Sequence, residues 1–243
     1  MLTTAARIPV CPGCWGRLRP LELVCACVLC QQPLSAVHRM SDREPLCGLC
    51  RRGLYQFDRL RSFGPFDGVL RGLLHLFKYN RVGPLARPLA QLLGVVLHED
   101  PTLGAADIVL PVPLHPRRER ARGYNQALLL ARELARSLEL PLDSSLLIRT
   151  RDTPSQTGLT PRQRRLNVRG AFAVTPRSRV KGKRILLIDD VATTGATLDA
   201  CARALKRAGA ARVEAVTVAR VVEWVPALAE AAGAGDADDI ADA

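Results

Sequence analysis

Two adjacent carboxylates, Asp189 and Asp190, follow the aliphatic run Ile185-Leu186-Leu187-Ile188, and Thr193-Thr194-Gly195-Ala196-Thr197 comes after Val191 and Ala192. Neighbouring carboxylates accept hydrogen bonds from vicinal hydroxyls, the pattern a ribose diol presents. A Thr/Gly turn that opens a helix aims free backbone N–H groups and the positive end of the helix dipole at an anion. Gly195 allows close backbone approach, and the threonine hydroxyls add donors. An acid pair for a diol beside a cradle for a phosphate suits a sugar phosphate. A strand-end acid and an ordinary N-capped helix would use the same residue types. Two acids, three threonines and a buried strand ahead of them favour the site.

Cysteine spacing suggests a second chemistry. Cys27-x2-Cys30 and Cys47-x2-Cys50 are separated by 16 residues, which fits a structural zinc site of four thiolates. Cys11-x2-Cys14 is a third pair; it either replaces one of the others or belongs to a second, incomplete site with Cys25 as an extra ligand. A reactive dithiol is the competing reading, but several pairs in a segment with little core favour metal as the source of folding energy. Cys201 stands alone within an expected helix and reads as a small buried hydrophobe.

The elements that must position these groups follow from periodicity. Helical spacing covers Gly68 to Lys78, Pro84 to His98, Asn125 to Leu138 and Thr197 to Ala208. Strands are expected at Asp107 to Val112, Ser145 to Ile148, Ala171 to Val174, Lys183 to Ile188 and Val213 to Val218. Their alternation implies an α/β fold, a parallel sheet joined by right-handed crossovers and covered by helices. Its ligands would bind at the carboxyl edge of the strands, where Ile188 delivers the two acids. Three regions separate: a cysteine-rich module at 1–52, the α/β domain at 53–225, and an acidic Ala/Gly/Asp tail at 226–243 that is expected to be disordered.

The formal net charge is +12, and Val112 to Arg184 alone hold 17 Lys or Arg against five acids. Such a field attracts phosphates, in a metabolite or in a nucleic-acid backbone. Within it, Val112-Pro113-Leu114-His115-Pro116 leads into Arg117, Arg118, Arg120 and Arg122, a basic loop able to neutralise a diphosphate or simply to be solvated. No partner for His115 is visible in sequence, so it is not cast as a base. The long polar stretch Arg149 to Gly170 is either a lid or an ordinary flexible loop. Tyr55, Phe57, Phe63 and Phe66 form the one aromatic cluster, which core packing explains better than base stacking. No apolar run approaches the length of a membrane span, and Met1 to Val10 lacks the regions of a signal peptide. The expectation is a cytoplasmic protein.

Ile185 to Thr197 resembles the phosphoribosyl pyrophosphate (PRPP) motif of type I phosphoribosyltransferases. The likeness extends to the ComF family of competence-related proteins, whose members join cysteine pairs to such a domain. Val112 to Pro116, with Arg122-Gly123-Tyr124-Asn125-Gln126, resembles that family's second block; Gln156, Arg162, Asn167 and Gly170-Ala171-Phe172 resemble its third. The resemblance implies a type I phosphoribosyltransferase-like sheet with flanking helices, plus a small N-terminal zinc-binding module. It implies that Asp189 and Asp190 form the catalytic pair on the ribose hydroxyls and that Thr193, Thr194, Gly195, Ala196 and Thr197 hold the 5′-phosphate of Mg-bound PRPP. The arginines after Pro116 would approach pyrophosphate, and Gln156 and Arg162 would sit in the lid. It further implies handling of incoming single-stranded DNA during natural transformation, beside a helicase-like competence protein and recombination proteins. Two alternatives accompany that reading: a genuine transferase with an unidentified acceptor, and a PRPP sensor without turnover. Lys78, in Leu76-Phe77-Lys78-Tyr79, either reaches the pocket or snorkels from a helix.

Overall fold

Alternating apolar residues build the centre of the molecule. In the computed structural model, residues 10–23, 25–34, 44–80, 82–154, 158–176 and 179–222 are described; Gln156 and the tail from 226 lie outside them. The strands are β1 (Arg59–Pro65), β2 (Ile108–Pro111), β3 (Leu147–Arg149), β4 (Phe172–Val174), β5 (Arg184–Ala192) and β6 (Arg212–Arg220). The α-helices are α1 (Pro12–Trp15), α2 (Gly48–Arg51), α3 (Gly68–Tyr79), α4 (Ala86–Glu99), α5 (Pro116–Arg122), α6 (Gln126–Ser137), α7 (Pro161–Val168) and α8 (Ala196–Arg207). Four strands form a parallel sheet in the order β1-β6-β5-β2, and β3 and β4 form a separate antiparallel pair.

The period of two in β5 and β6 divides the core between the sheet's faces. Ile185, Leu187, Val213 and Ala215 pack with Leu198, Cys201 and Leu205 of α8. Leu186, Ile188, Val216 and Val218 pack with Leu74 and Phe77 of α3, Leu89 and Leu93 of α4, and Leu130 and Leu134 of α6. Both faces are covered, as a parallel sheet requires.

The cysteine segment also closes an edge. β1 lies at the margin of the sheet, where open N–H and C=O groups invite mispairing. Leu60 N donates to Leu29 O at 2.8 Å, Ser62 N to Gln31 Oε1 at 2.7 Å, and Leu21 N to Phe63 O at 2.6 Å. A Cβ on Gly64 would stand 2.6 Å from Arg19 O, so this close approach demands glycine. Cys27, Cys30, Cys47 and Cys50 belong to the same buried cluster as Phe57, Leu60 and the α8 side chains.

Three local readings change. β1 has no counterpart in the sequence-based elements, because Arg59 and Arg61 interrupt its apolar pattern; both pair with Asp100, at 2.9 and 3.1 Å. The basic stretch after His115 is helix α5, not a loop: Pro116 begins it, His115 Nδ1 accepts from Arg117 N, and Gly123 ends it at φ +93°. β5 continues four residues past Ile188.

Candidate functional site

The extension of β5 places Asp189 and Asp190 inside the strand, where alternation turns them to opposite faces. Asp190 shares the face of Leu186 and Ile188, towards α3, and its Oδ2 lies 3.6 Å from Lys78 Nζ. The charge of Asp190 holds the Lys78 ammonium above the usual lysine range. Lys78 is carried by the end of α3, where buried Phe77 anchors the helix, Tyr124 donates its hydroxyl to Phe77 O, and Gln126 Nε2 lies 3.5 Å from Lys78 O. Lys78 therefore reaches Asp190, the point the sequence left open. Asn125 caps α6 through its Oδ1, 3.0 Å from Ala127 N, and its Nδ2 binds Val112 O at 3.0 Å, which fixes the Tyr124-Gln126 segment under α3.

Asp189 faces α8. Burial, with the charge of Asp190 second, pushes its carboxyl up to about 8. Its Oδ1 accepts from Asp190 N at 2.9 Å. The guanidinium of Arg149, at the end of β3, is buried; burial lowers it from the usual arginine range, and the charge of Asp189 works against that. Cys201 is fully buried, and its thiol is raised chiefly by that burial. The sequence reading missed Arg149; its signal was an arginine closing a short apolar strand.

The Thr193–Thr197 turn is braced from behind. Tyr55 Oη donates to Thr194 O at 2.5 Å, and the Tyr55 and Phe57 rings stack at 4.7 Å. Gly195 sits at φ +74°, a left-handed conformation that strains other residues, and a Cβ there would meet the Phe57 ring at 3.5 Å. Asp199, in the first turn of α8, accepts from Gln56 N at 2.7 Å and Arg203 Nε at 2.9 Å. Tyr55 and Phe57 thus serve the loop as well as the core, while Phe63 packs on the opposite face.

Of the basic block, α5 brings two arginines to bear. Arg118 Nε lies 3.2 Å from Asp152 Oδ1, and its Nη2 donates to Thr153 O. Arg149 Nη2 meets Thr153 Oγ1 at 2.5 Å, so two guanidinium groups converge on one residue. His115 Nδ1, which accepts from Arg117 N at 3.3 Å, stands 3.9 Å from the same Asp152, beyond hydrogen-bond range. Arg122 lies 5.8 Å from the Tyr79 ring centre and donates to Gln126 Oε1 at 2.8 Å, beside Lys78. Arg117 and Arg120 are exposed.

Between β3 and β4 the described part of the expected lid contains helix α7. Thr160 and Gln163 form a capping box, Arg151 Nη2 donates to Asn167 O at 3.2 Å and Arg169 O at 2.7 Å, and Asn167 Nδ2 donates to Pro154 O at 3.0 Å. Arg162 is exposed on α7; Gln156 lies outside the described residues.

Cys27, Cys30, Cys47 and Cys50 are all buried, with their sulfur atoms within 4.8 Å of one another. Zn–S bonds near 2.3 Å imply a tetrahedral S···S edge of about 3.8 Å; Cys30 Sγ and Cys47 Sγ are 3.7 Å apart. Hydrogen bonding among the four sulfurs divides them: Cys27 and Cys47 are held below the ordinary thiol range, and Cys30 and Cys50 above it. Gln32, two residues past Cys30, accepts from Arg220 Nη2 at 2.9 Å. Arg220 is 1% exposed, and its Nε and Nη1 have no hydrogen-bond partner among the described residues. A buried cation at the margin suits four thiolates whose charge a divalent ion only half cancels. Cys11 and Cys14 lie elsewhere, at α1, and Cys25 is buried outside the four-sulfur group. A cavity of about 390 Å³ lined by Cys30, Cys47, Arg52, Tyr55, Arg164 and Thr194 links the cluster, the turn and α7.

A phosphoribosyl transferase domain family matches residues 125–228. The DNA utilization protein YhgH of Escherichia coli strain K12 is 33% identical over 228 residues, covering 89% of this chain and 95% of that protein. Competence protein F of Haemophilus influenzae is 32% identical over 178 residues, covering 72% and 78%. Competence protein ComFC of Bacillus subtilis is 39% identical over 114 residues, covering 46% and 44%. No helix among the described residues is long and apolar enough to cross a membrane.

Proposed function

Because the chain belongs to the ComF family, with a phosphoribosyltransferase domain, we propose that it serves DNA utilisation in competence and binds Mg-PRPP at the carboxyl end of β5. The observation that carries this reading is the meeting of Asp190 with Lys78 at 3.6 Å, just ahead of the Thr193–Thr197 turn that follows β5. The turn would receive the 5′-phosphate on backbone N–H groups at the start of α8. Asp189 and Asp190 would take the ribose hydroxyls from the two faces of the strand. Lys78, Arg118, Arg122 and Arg149 would surround the pyrophosphate with positive charge. Mg²⁺ would come with the diphosphate, with Asp189 and Asp190 as the nearby carboxylates, and would neutralise charge on the leaving group. Zinc on Cys27, Cys30, Cys47 and Cys50 would be structural, fixing the segment that supplies Tyr55 and covers β1. Cytoplasmic handling of single-stranded DNA, with helicase-like and recombination partners, completes the proposal.

Turnover needs an acceptor, and the residues that line the site single out none. Calorimetric titration with Mg-PRPP, with pyrophosphate followed in parallel, tests the pocket. Binding without release supports a ligand-controlled DNA protein; release points to transfer or hydrolysis. Equal affinity in the wild type and in Asp189→Asn/Asp190→Asn would remove the assignment.

A further inference from the structure

We propose that the groove between α7 and α8 is the seat of a single DNA strand, held through its phosphates; this deepens the DNA-handling reading above and rests on it. The groove encloses about 300 Å³ and is lined by Arg165 and Arg169 from the α7 side and Arg203 and Arg207 from α8, with Leu166 and Phe172 among its apolar residues. Among the described residues the acid engaged with this set is Asp199, which receives Arg203 Nε at 2.9 Å and feels Arg165 electrostatically. Arg169 and Arg207 are exposed and form no ion pair among the described residues. Four guanidinium groups against one carboxylate leave a strong positive surplus in one trench.

The form of the trench narrows the ligand. A small anion is best held by donors converging on a point, whereas these charges are spread along two helices beside an open trench. Repeating phosphates match such an array. Ala200 and Ala204 line the α8 side without bulk, and Leu166 stays 56% exposed beside the arginines. That apolar strip can contact sugars or the faces of unpaired bases. Duplex readout would require an element inserted in a base-pair groove, and a trench between two helices presents none.

The position also touches the candidate pocket. The Phe172 ring lies 5.5 Å from the Arg149 guanidinium, which in turn feels Asp189. Helix α7 belongs to the connection between β3 and β4 that borders the pocket. A strand in the groove would therefore contact the same helix that forms part of the lid.

The test uses full-length, zinc-loaded protein and fluorescence anisotropy of a labelled oligothymidylate over a salt series. Arg203 is left intact because it braces Asp199; the variant is Arg169→Ser/Arg207→Ser, whose side chains are exposed. Losing two phosphate contacts should weaken binding about tenfold near 0.1 M salt and make the log–log salt slope shallower by about 1.4, at ~0.7 per contact. Unchanged affinity and slope, with wild-type binding intact, overturn the groove and leave the DNA reading standing. No strand binding by the wild type overturns both. If an equal-length duplex competes equally per phosphate, the single-strand assignment fails. Unaltered Mg-PRPP affinity in the variant guards against unfolding; should that variant not fold, Arg207→Ser alone is required to give half the change in slope.

Discussion

Asp189 offers a sharp test, because its carboxylate is carried at a cost to the fold. Folding raises its carboxyl from 3.8 to about 8, first by burial and then by the charge of Asp190. The native state therefore holds a proton that the unfolded chain releases. Stability from this group is complete below about 3.8 and is lost as the pH climbs through about 8. Roughly four units at ~1.4 kcal/mol each set a ceiling near 6 kcal/mol. Partial solvent contact of the carboxyl reduces the expected value to roughly 2–3 kcal/mol. Asp189→Asn keeps an oxygen for Asp190 N and removes the charge. It should raise the melting temperature by about 5–10 °C at pH 8.5, at ~2–4 °C per kcal/mol for a chain of this size, and much less at pH 5. Scanning calorimetry of the ligand-free protein across that range measures the effect. A variant less stable than wild type at pH 8.5, or a gain that is the same at both pH values, would refute the electrostatic argument. The same substitution should weaken Mg-PRPP binding, since a carboxylate poorly suited to the empty protein is well suited to sugar hydroxyls and a divalent ion.

Lys78→Met preserves the stem of α3 and removes the ammonium, so Mg-PRPP affinity should fall at least tenfold by calorimetry; an unchanged value would return Lys78 to the solvated surface of its helix. Cys47→Ser should abolish stoichiometric zinc in metal analysis and cost at least about 3 kcal/mol, because metal binding and folding are one equilibrium in such a module. Full zinc content in that variant would redraw the ligand set towards Cys11, Cys14 or Cys25.

Much of this molecule is written locally. The 3.6-residue pattern specified α3, α4, α6 and α8 to within a residue or two, apart from a 3₁₀ turn at Gly83–Leu85 that precedes α4. The aliphatic runs specified the centres of β2, β5 and β6, because a strand buried on both faces needs continuous apolar residues. Cysteine spacing likewise selected Cys27, Cys30, Cys47 and Cys50, the four that meet in space, since two short pairs can each wrap one edge of a tetrahedron.

Other features depend on partners distant in sequence. β1 carries two arginines that become acceptable in a strand only because Asp100, some forty residues on, pairs with both. Tyr55 and Phe57 looked like core aromatics, yet Tyr55 acquires its second role from Thr194, 139 residues away. Lys78 could have pointed to water until the end of α3 was tied down by Tyr124 and Gln126. The sequence by itself determined which residues could do chemistry and which segments could be helix or strand, because hydrophobic period and side-chain type are local properties. Tertiary structure alone decided that Asp189 and Asp190 face opposite sides, one towards Arg149 and the other towards Lys78. That outcome depends on where β5 stops, and hydrogen bonds from β6 keep it running to Ala192.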